Sequence, residues 1–454
     1  MQMGARNSAT SLWRGPQSRA PHGAAREKAA RGGPSMGWRP RRGGTGAWRG
    51  GAPEKGRGGG AENMDSARLR RGKGIDDEGL SINWADLMRH KHGFTDPVPQ
   101  NMEDSLAGNG IDTLHGVARF TDKTGIEISG TPYQATHFLI ATGARPRPLD
   151  FPGHEHLVDS TDFLDLEVLP PRILFVGGGF ISFEFAHICS RAGSAPVIID
   201  RGPRPLKGFD PDLVELLITR GTEAGIELER STTIESIEKT PTGYQVGVQR
   251  SGEPETMEFD LVVHGAGRTP ELSSLDLDAA GVGWDEHGVR VAAHLQSTTN
   301  RAVYAAGDSA NTTGMPLTPV AVFEGKVAAT NMLKGATIVP DYAGVPTAVF
   351  TIPELARVGM LEQEARDQGI DVDVRYSDTS GWYSNYRIGE TTAAAKILID
   401  RASDRIVGAH LLGPEYGELI NFLALAIKLN LTTRQLKSMT AAYPTVGSDL
   451  GSML

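Results

Sequence analysis

The chain has 454 residues, 39% of them hydrophobic and 22% charged, with a net charge of -9; that is room for roughly three domains of about 150 residues each. The acidic balance argues against a nucleic-acid-binding protein as a whole, and no apolar run is long enough to span a bilayer, so the reading is a soluble protein. Its one cysteine, Cys189, excludes an intrachain disulfide and fits a reducing, cytoplasmic compartment among others.

From Met1 to about Gly60 the chain is rich in Arg and Gly and poor in Val, Ile and Leu, so disorder is expected there. Three readings compete: an RGG-like nucleic-acid arm, an Arg-rich targeting peptide that nothing amphipathic supports, or the damaged front of a domain completed downstream. The segment "GGTGAWRGGAPEK", Gly43–Lys55, is too ordered in its Gly, Thr, Pro and Lys positions for low complexity. Ser81 to Leu106 is polar and helix-compatible. The stretch from Gly110 to Gly153 alternates apolar and polar residues, as short strands with turns at Gly125 and Gly130, and Phe138–Ala141 reads as a buried strand ending in Thr142-Gly143.

Next, Ile173–Val176 is a short apolar run of the kind a parallel central strand requires. A glycine turn follows, then a helix from about Gly179 to Arg191 that stops at Gly193, then a strand from Pro196 to Ile199. Later strands lie in "GIELERSTTIESIEKT", "GYQVGVQ", "DLVVHGAG" and "RAVYAAGD", and from about Pro340 strands mix with two amphipathic helices. The order implies α/β layers followed by a C-terminal α+β domain.

Gly177-Gly178-Gly179-Phe180-Ile181-Ser182 sits between a strand and a helix, the context that makes a glycine motif a dinucleotide site. Gly177 permits the tight turn, and Gly179 lets a pyrophosphate approach the N–H groups at the helix start. Ser182 takes the place of a third glycine and is small enough for helix–strand packing. Asp200, at the end of the second strand, is placed to accept the ribose 2′-hydroxyl of NAD. Arg201, Arg204 and Lys207 follow it and suit the 2′-phosphate of NADP; three cations outweigh one acid, which favours NADP over NAD.

The chain resembles the flavin-dependent pyridine nucleotide-disulfide oxidoreductases, which include glutathione reductase, dihydrolipoamide dehydrogenase and mercuric reductase. "FLIATGARP", "VGGGFISFEFA", "HGAGRTPEL", "VYAAGDSA", "LTPVAVFEGKVAA" and "FTIPELARVG" carry the resemblance, in the family's order, from about Asn63 to the end. It implies an α/β fold with two Rossmann-like domains, an FAD domain interrupted by an NAD(P) domain, then an α+β dimerisation domain. The corresponding segments are a degenerate or disordered front at 1–62, FAD domain at 63–150 and 271–340, NAD(P) domain at 151–270, and dimerisation domain at 341–454. Residue by residue, the resemblance places Asp308 on the ribityl chain of FAD, with Gly307 beside it. It puts Thr318 and Pro319 at the start of a helix facing the flavin, Thr142 and Gly143 near the FAD adenosine side, and Gly267 at the cofactors. Glu184 matches the acid beside the nicotinamide, or is a partly buried acid satisfied by an arginine, and Lys55 matches the lysine that pairs with it.

The family's two redox cysteines fall on Gly46 and Gly51, so the chain as written is not expected to reduce disulfides. Cys189, in the apolar run "FEFAHIC", reads as a buried structural residue. The family's first strand and Gly-x-Gly-x-x-Gly turn are not visible upstream, and Gly37 stands near the position of the acid for the FAD adenosine ribose. Tyr443 and Ser448 replace the His and Glu of a His-Pro-Thr-x-x-Glu segment; a phenol is a poorer base than an imidazole at neutral pH. The expectation is a homodimeric oxidoreductase passing hydride from NAD(P)H to FAD and on to an unknown small electron acceptor. The alternative is a non-catalytic NAD(P)-binding dimer with weak or no FAD binding. An RNA-binding fusion rests only on Arg/Gly content.

Overall fold

The computed structural model describes residues 10–11 and 52–454, with side chains from residue 58 onward. The expectations for Gly37, Gly46 and Gly51 lie outside the described residues, and Lys55 is described as backbone only.

The first long element is a docking helix, Ala52–Leu69. Disorder was expected as far as Gly60, and the helix begins earlier than that. Glycine lowers helix propensity by about 1 kcal/mol per residue, so tertiary packing must supply the stability. It comes from Ala61, which is fully buried with Trp84, Met88, Ile188 and Ile352, and from Asp65, described below. The polar stretch beyond it forms helices Trp84–Thr95 and Val98–Gly108. Asn83 caps the first by accepting the Asp86 N–H.

A three-stranded antiparallel sheet follows, Ala118–Phe120, Gly125–Ile128 and Thr131–Gln134. Gly130, at φ +86°, makes the expected turn. Gly125 does not: it opens a strand, and a Cβ there would stand 2.5 Å from Asp122 Oδ2 and 2.7 Å from Gln134 Nε2. Close approach, rather than a turn, explains that glycine; the turn itself is made by Asp122, whose Oδ1 accepts the Thr124 N–H at 2.8 Å. Phe138–Ile140 pairs in parallel with Val303–Ala305, joining two segments of the chain that flank everything between them.

Between those segments lies a four-stranded parallel sheet, in the order Glu227–Arg230, Ala195–Asp200, Arg172–Val176, Leu261–His264. Val176 pairs with Ile199 on one side and with His264 on the other. Ile173, Leu174 and Phe175 are fully buried, as a strand covered on both faces must be. The glycine-turn helix, Phe180–Arg191, covers one face and ends at Gly193, φ +94°, beyond which Ser194 N–H bonds back to the Cys189 carbonyl at 3.0 Å. Helix Pro211–Glu223 starts with Asp210 accepting the N–H groups of Asp212 and Leu213 and with proline in the first turn. A five-stranded antiparallel sheet closes the chain, in the order Thr347–Val349, Glu354–Gly359, Arg405–Gly413, Ala394–Asp400, Val372–Asp378. Helix Tyr416–Lys428 packs Leu419, Ile420 and Leu423 onto it. Of the two amphipathic helices expected here, this is the long one; Thr433–Lys437 and Leu450–Met453 are single turns.

Two buried ion networks tie the parts together. Asp65 of the docking helix accepts from Arg191 at 2.9 Å and from Arg220 at 2.8 Å. Arg191 also donates to the Ile352 carbonyl at 3.2 Å, and Arg220 lies 3.5 Å from Glu390. Lys396 of the last sheet reaches Asp210 at 2.9 Å, Asp212 at 2.6 Å and Glu362 at 3.3 Å. Removing one partner of a buried ion pair strands the other charge at a cost of about 3–5 kcal/mol. Asp65→Asn, which leaves Arg191 and Arg220 to share a neutral amide, should therefore lower the unfolding free energy by about 3 kcal/mol in urea titration; a change below about 1 kcal/mol would show that the network carries no such burden.

Candidate active site

Strand Arg172–Val176 delivers its chain into Gly177, at φ +103°. A Cβ there would stand 2.6 Å from Ala266 Cα and 2.7 Å from the Gly265 carbonyl, so the turn presses directly on the backbone that leaves the neighbouring strand. Gly178 faces Asp200, whose Oδ2 would lie 2.5 Å from an added Cβ. Gly179 is the N-cap and has no side chain to cap the helix; the first N–H groups of Phe180–Arg191 are thus left for a ligand. Ser182 is fully buried, and Gly265 leaves room for its hydroxyl, so it serves helix–strand packing and does not reach the cavity.

Asp200 ends strand Ala195–Asp200 and accepts the Gly202 N–H at 3.2 Å through Oδ1. Arg201, Arg204 and Lys207 stand exposed around it. The Arg204 guanidinium donates to the Lys207 carbonyl at 3.0 Å, folding the loop on itself. Asp200 and all three cations line one cavity of about 1010 Å³, together with Gly177 and Gly179.

The same cavity is also lined by Gly267, Arg268, Gly307, Asp308 and residues at the start of helix Thr318–Lys334. Gly267 has φ +102°, and its carbonyl accepts the Arg147 N–H at 3.0 Å. Gly307 has φ +66°, and its missing Cβ would lie 2.9 Å from Ala321 Cβ, so the turn rests on the helix. Asp308 Oδ1 is buried with no hydrogen-bond partner among the described residues. Burial raises the Asp308 pKa, Arg268 opposes that, and Glu324 adds to it. Thr318 and Pro319 make the first turn of their helix after Leu317, which offers no side-chain cap. Leu317, Val320 and Ala321 line the cavity, so this helix also opens onto it N-terminus first.

Thr142 and Gly143 lie on the loop between Phe138–Ile140 and Ala144–Pro146, outside the cavity lining. Gly143 has φ +71°, and its carbonyl accepts the Glu271 N–H at 2.9 Å. Thr142 Oγ1, like Asp308 Oδ1, is buried without a hydrogen-bond partner among the described residues. A buried polar atom left unpaired costs about 1–3 kcal/mol, so both positions fit a ligand rich in hydroxyl and amide groups, as a flavin nucleotide is. Glu184 is 1% exposed and accepts the Phe350 N–H at 2.8 Å. Tyr443 is 81% exposed and is not brought to the cavity within one chain.

Two residues of this site escaped sequence reading. Arg268 stands beside Asp308 and donates to the Ala144 carbonyl. Glu324 binds the Gly307 N–H at 2.7 Å. Both sit inside segments that had drawn notice, "HGAGRTPEL" and "LTPVAVFEGKVAA"; a charge within an otherwise small and apolar run was the available signal.

Residues 35–325 match the family described as pyridine nucleotide-disulphide oxidoreductase, and residues 345–453 match that family's dimerisation domain. The chain belongs to the pyridine nucleotide-disulphide oxidoreductase family. Members of this family are FAD-dependent oxidoreductases that use NAD(P)H. The chain is 30% identical over 369 residues to a glutathione reductase of Burkholderia cepacia, covering 81% of each chain. It is 30% identical over 369 residues to a mercuric reductase of Staphylococcus aureus, covering 81% of this chain and 67% of the relative. A dihydrolipoyl dehydrogenase of Bacillus subtilis is 28% identical over 390 residues, covering 84% and 82%. In fold, the chain is similar to the HOCl-induced flavoprotein disulfide reductase RclA of Escherichia coli, with a TM-score of 0.78 over 89% of each chain at 23% identity. Among the described residues, no helix of this oxidoreductase is long and apolar enough to cross a membrane.

Proposed function

We propose that this chain is a homodimeric NAD(P)H-dependent flavoprotein oxidoreductase whose final acceptor is a small molecule other than a disulfide. The observation that carries the reading is one cavity lined by both the Gly177 turn and Asp308. Bound FAD would supply the two-electron centre between the nicotinamide and the acceptor.

The chain's own residues account for binding and orientation. The Gly177–Gly179 turn and the N–H groups at Phe180 and Ile181 suit a pyrophosphate. Asp308 Oδ1 suits a sugar or ribityl hydroxyl, with Arg268 as its counter-charge. Helix Thr318–Lys334 turns the positive end of its dipole toward the cavity, which favours negative charge developing there. The docking helix and the glycine-turn helix meet through Ala61 and Ile188 and through Asp65 and Arg191.

The acceptor is constrained by what the chain lacks. Gly46 and Gly51 occupy the positions of the redox thiols, and Cys189 is fully buried within the glycine-turn helix. A chain with one cysteine holds no dithiol to relay electrons. For the dimer, Phe422, Leu425 and Leu429 stand exposed along helix Tyr416–Lys428, with Met439 and Tyr443 beyond, all within the segment matching the dimerisation domain. The second reading, a dimer that binds NAD(P) and little FAD, draws on the absence of an apolar strand and glycine turn in the sequence of residues 1–62.

Two measurements test the proposal. The purified chain given FAD should turn yellow and bleach when NADPH is added without oxygen; a colourless chain that takes up no FAD would leave only the second reading. Because a hydrogen bond to a charged group contributes about 1.5–3 kcal/mol, Arg201→Ala and Lys207→Ala should each weaken NADPH by about tenfold and NADH by less than about threefold. Equal losses for both nucleotides would contradict a preference for NADP.

A further inference from the structure

Glu324 is a charged side chain only 1% exposed, deep in helix Thr318–Lys334. Its two oxygens are used by three separate segments. Oε2 accepts the main-chain N–H of Gly307 at 2.7 Å. Oε1 accepts the Thr312 hydroxyl at 2.8 Å and the Tyr342 hydroxyl at 2.6 Å. A buried carboxylate without partners is costly, and this degree of convergence offsets that cost. Burial, then Glu324 itself, raises the Tyr342 pKa, which keeps the phenol a donor.

The surroundings are built for this contact. A Cβ at Gly314 would stand 2.6 Å from Tyr342 Cε1 and 2.9 Å from Glu324 Oε1, so only glycine lets ring and carboxylate meet. Gly307, at φ +66°, already lies against Ala321 one helical turn earlier. The turn is therefore gripped twice by one helix, once by packing and once by its N–H. The residue after the gripped N–H is Asp308, with its buried, unpartnered Oδ1 on the cavity wall.

We propose that Glu324 is a positioning residue for the flavin nucleotide: it pins the Gly307–Asp308 turn, so that Asp308 is held ready for a ligand hydroxyl before the ligand arrives. The inference rests on the functional reading given above. It also explains why a carboxylate is used. Glutamine has the same shape but a neutral amide: with its oxygen on the Gly307 N–H, its NH₂ would have to donate to the Thr312 and Tyr342 hydroxyl oxygens, reversing both bonds and forfeiting their charge assistance.

The test measures FAD affinity by fluorescence quenching, NAD(P)H affinity by titration and melting temperature, each on the full chain. Relative to the parent, Glu324→Gln should weaken FAD by about tenfold and Glu324→Ala by about a hundredfold, the range expected for charge-assisted hydrogen bonds lost. Gly314→Ala, whose Cβ would crowd both the Tyr342 ring and Glu324 Oε1, should weaken FAD in the same direction. NAD(P)H affinity, which the proposed reading assigns to the Gly177–Gly179 turn and the Asp200 loop, should stay within about twofold in all three. A parent that binds FAD beside a Glu324→Ala variant that binds it equally well would overturn the inference alone. Loss of both nucleotides together with a lowered melting temperature would overturn it as well, by reducing Glu324 to a general stabilising residue. A parent that takes up no FAD would overturn the functional reading and this inference with it.

Discussion

At the centre of the molecule one carboxylate, Asp65, holds two arginines, and each arginine belongs to a different helix of the parallel-sheet unit. Arg191 continues to the Ile352 carbonyl and Arg220 to Glu390, both in the chain's last third. His187 stands in the same cluster, accepting the Ile352 N–H at 3.1 Å; burial and the two arginines hold its pKa well below the usual histidine range, so it remains a neutral acceptor. Taking ions out of water gains little net stability over a well-packed apolar core. What such a network does supply is register. It fixes the docking helix against the glycine-turn helix, and it fixes both against the final sheet. Glu184, whose carboxylate meets the Phe350 N–H close to that junction, is placed by the same alignment.

From that junction the cavity follows. Two turns face each other, one after strand Arg172–Val176 and one after strand Val303–Ala305, and each needs glycine because neighbouring atoms already occupy the place of a side chain. Each turn leads to a helix that opens N-terminus first on the shared space. Two nucleotides with phosphates at those ends would be held by backbone and dipole more than by flexible side chains, which limits the ordering cost on binding.

The sequence made the parallel sheet and the glycine turn legible because those features are local: a strand, a turn without side chains and a helix must follow one another in the chain; Asp308 is reached only through the resemblance to the family. It misled where the third dimension decides. Gly125 reads as a turn residue, yet it is a strand residue pressed by Asp122 and Gln134. The Gly-rich stretch before Ala61 reads as disorder, yet residues from Ala52 onward are helical once Asp65 finds its arginines. Glu324 and Arg268 lie in segments that were noticed, but their partners, Gly307, Tyr342 and Asp308, come from elsewhere in the chain. Tyr443 remains a surface residue within a single chain.

The most direct measurement is a crystal structure of the full chain grown with FAD and NADP together. The account predicts a pyrophosphate on the N–H groups after Gly177, a flavin-side hydroxyl on Asp308 Oδ1, and the two rings in contact within the one cavity. A dinucleotide bound elsewhere, or FAD held without Asp308, would contradict it.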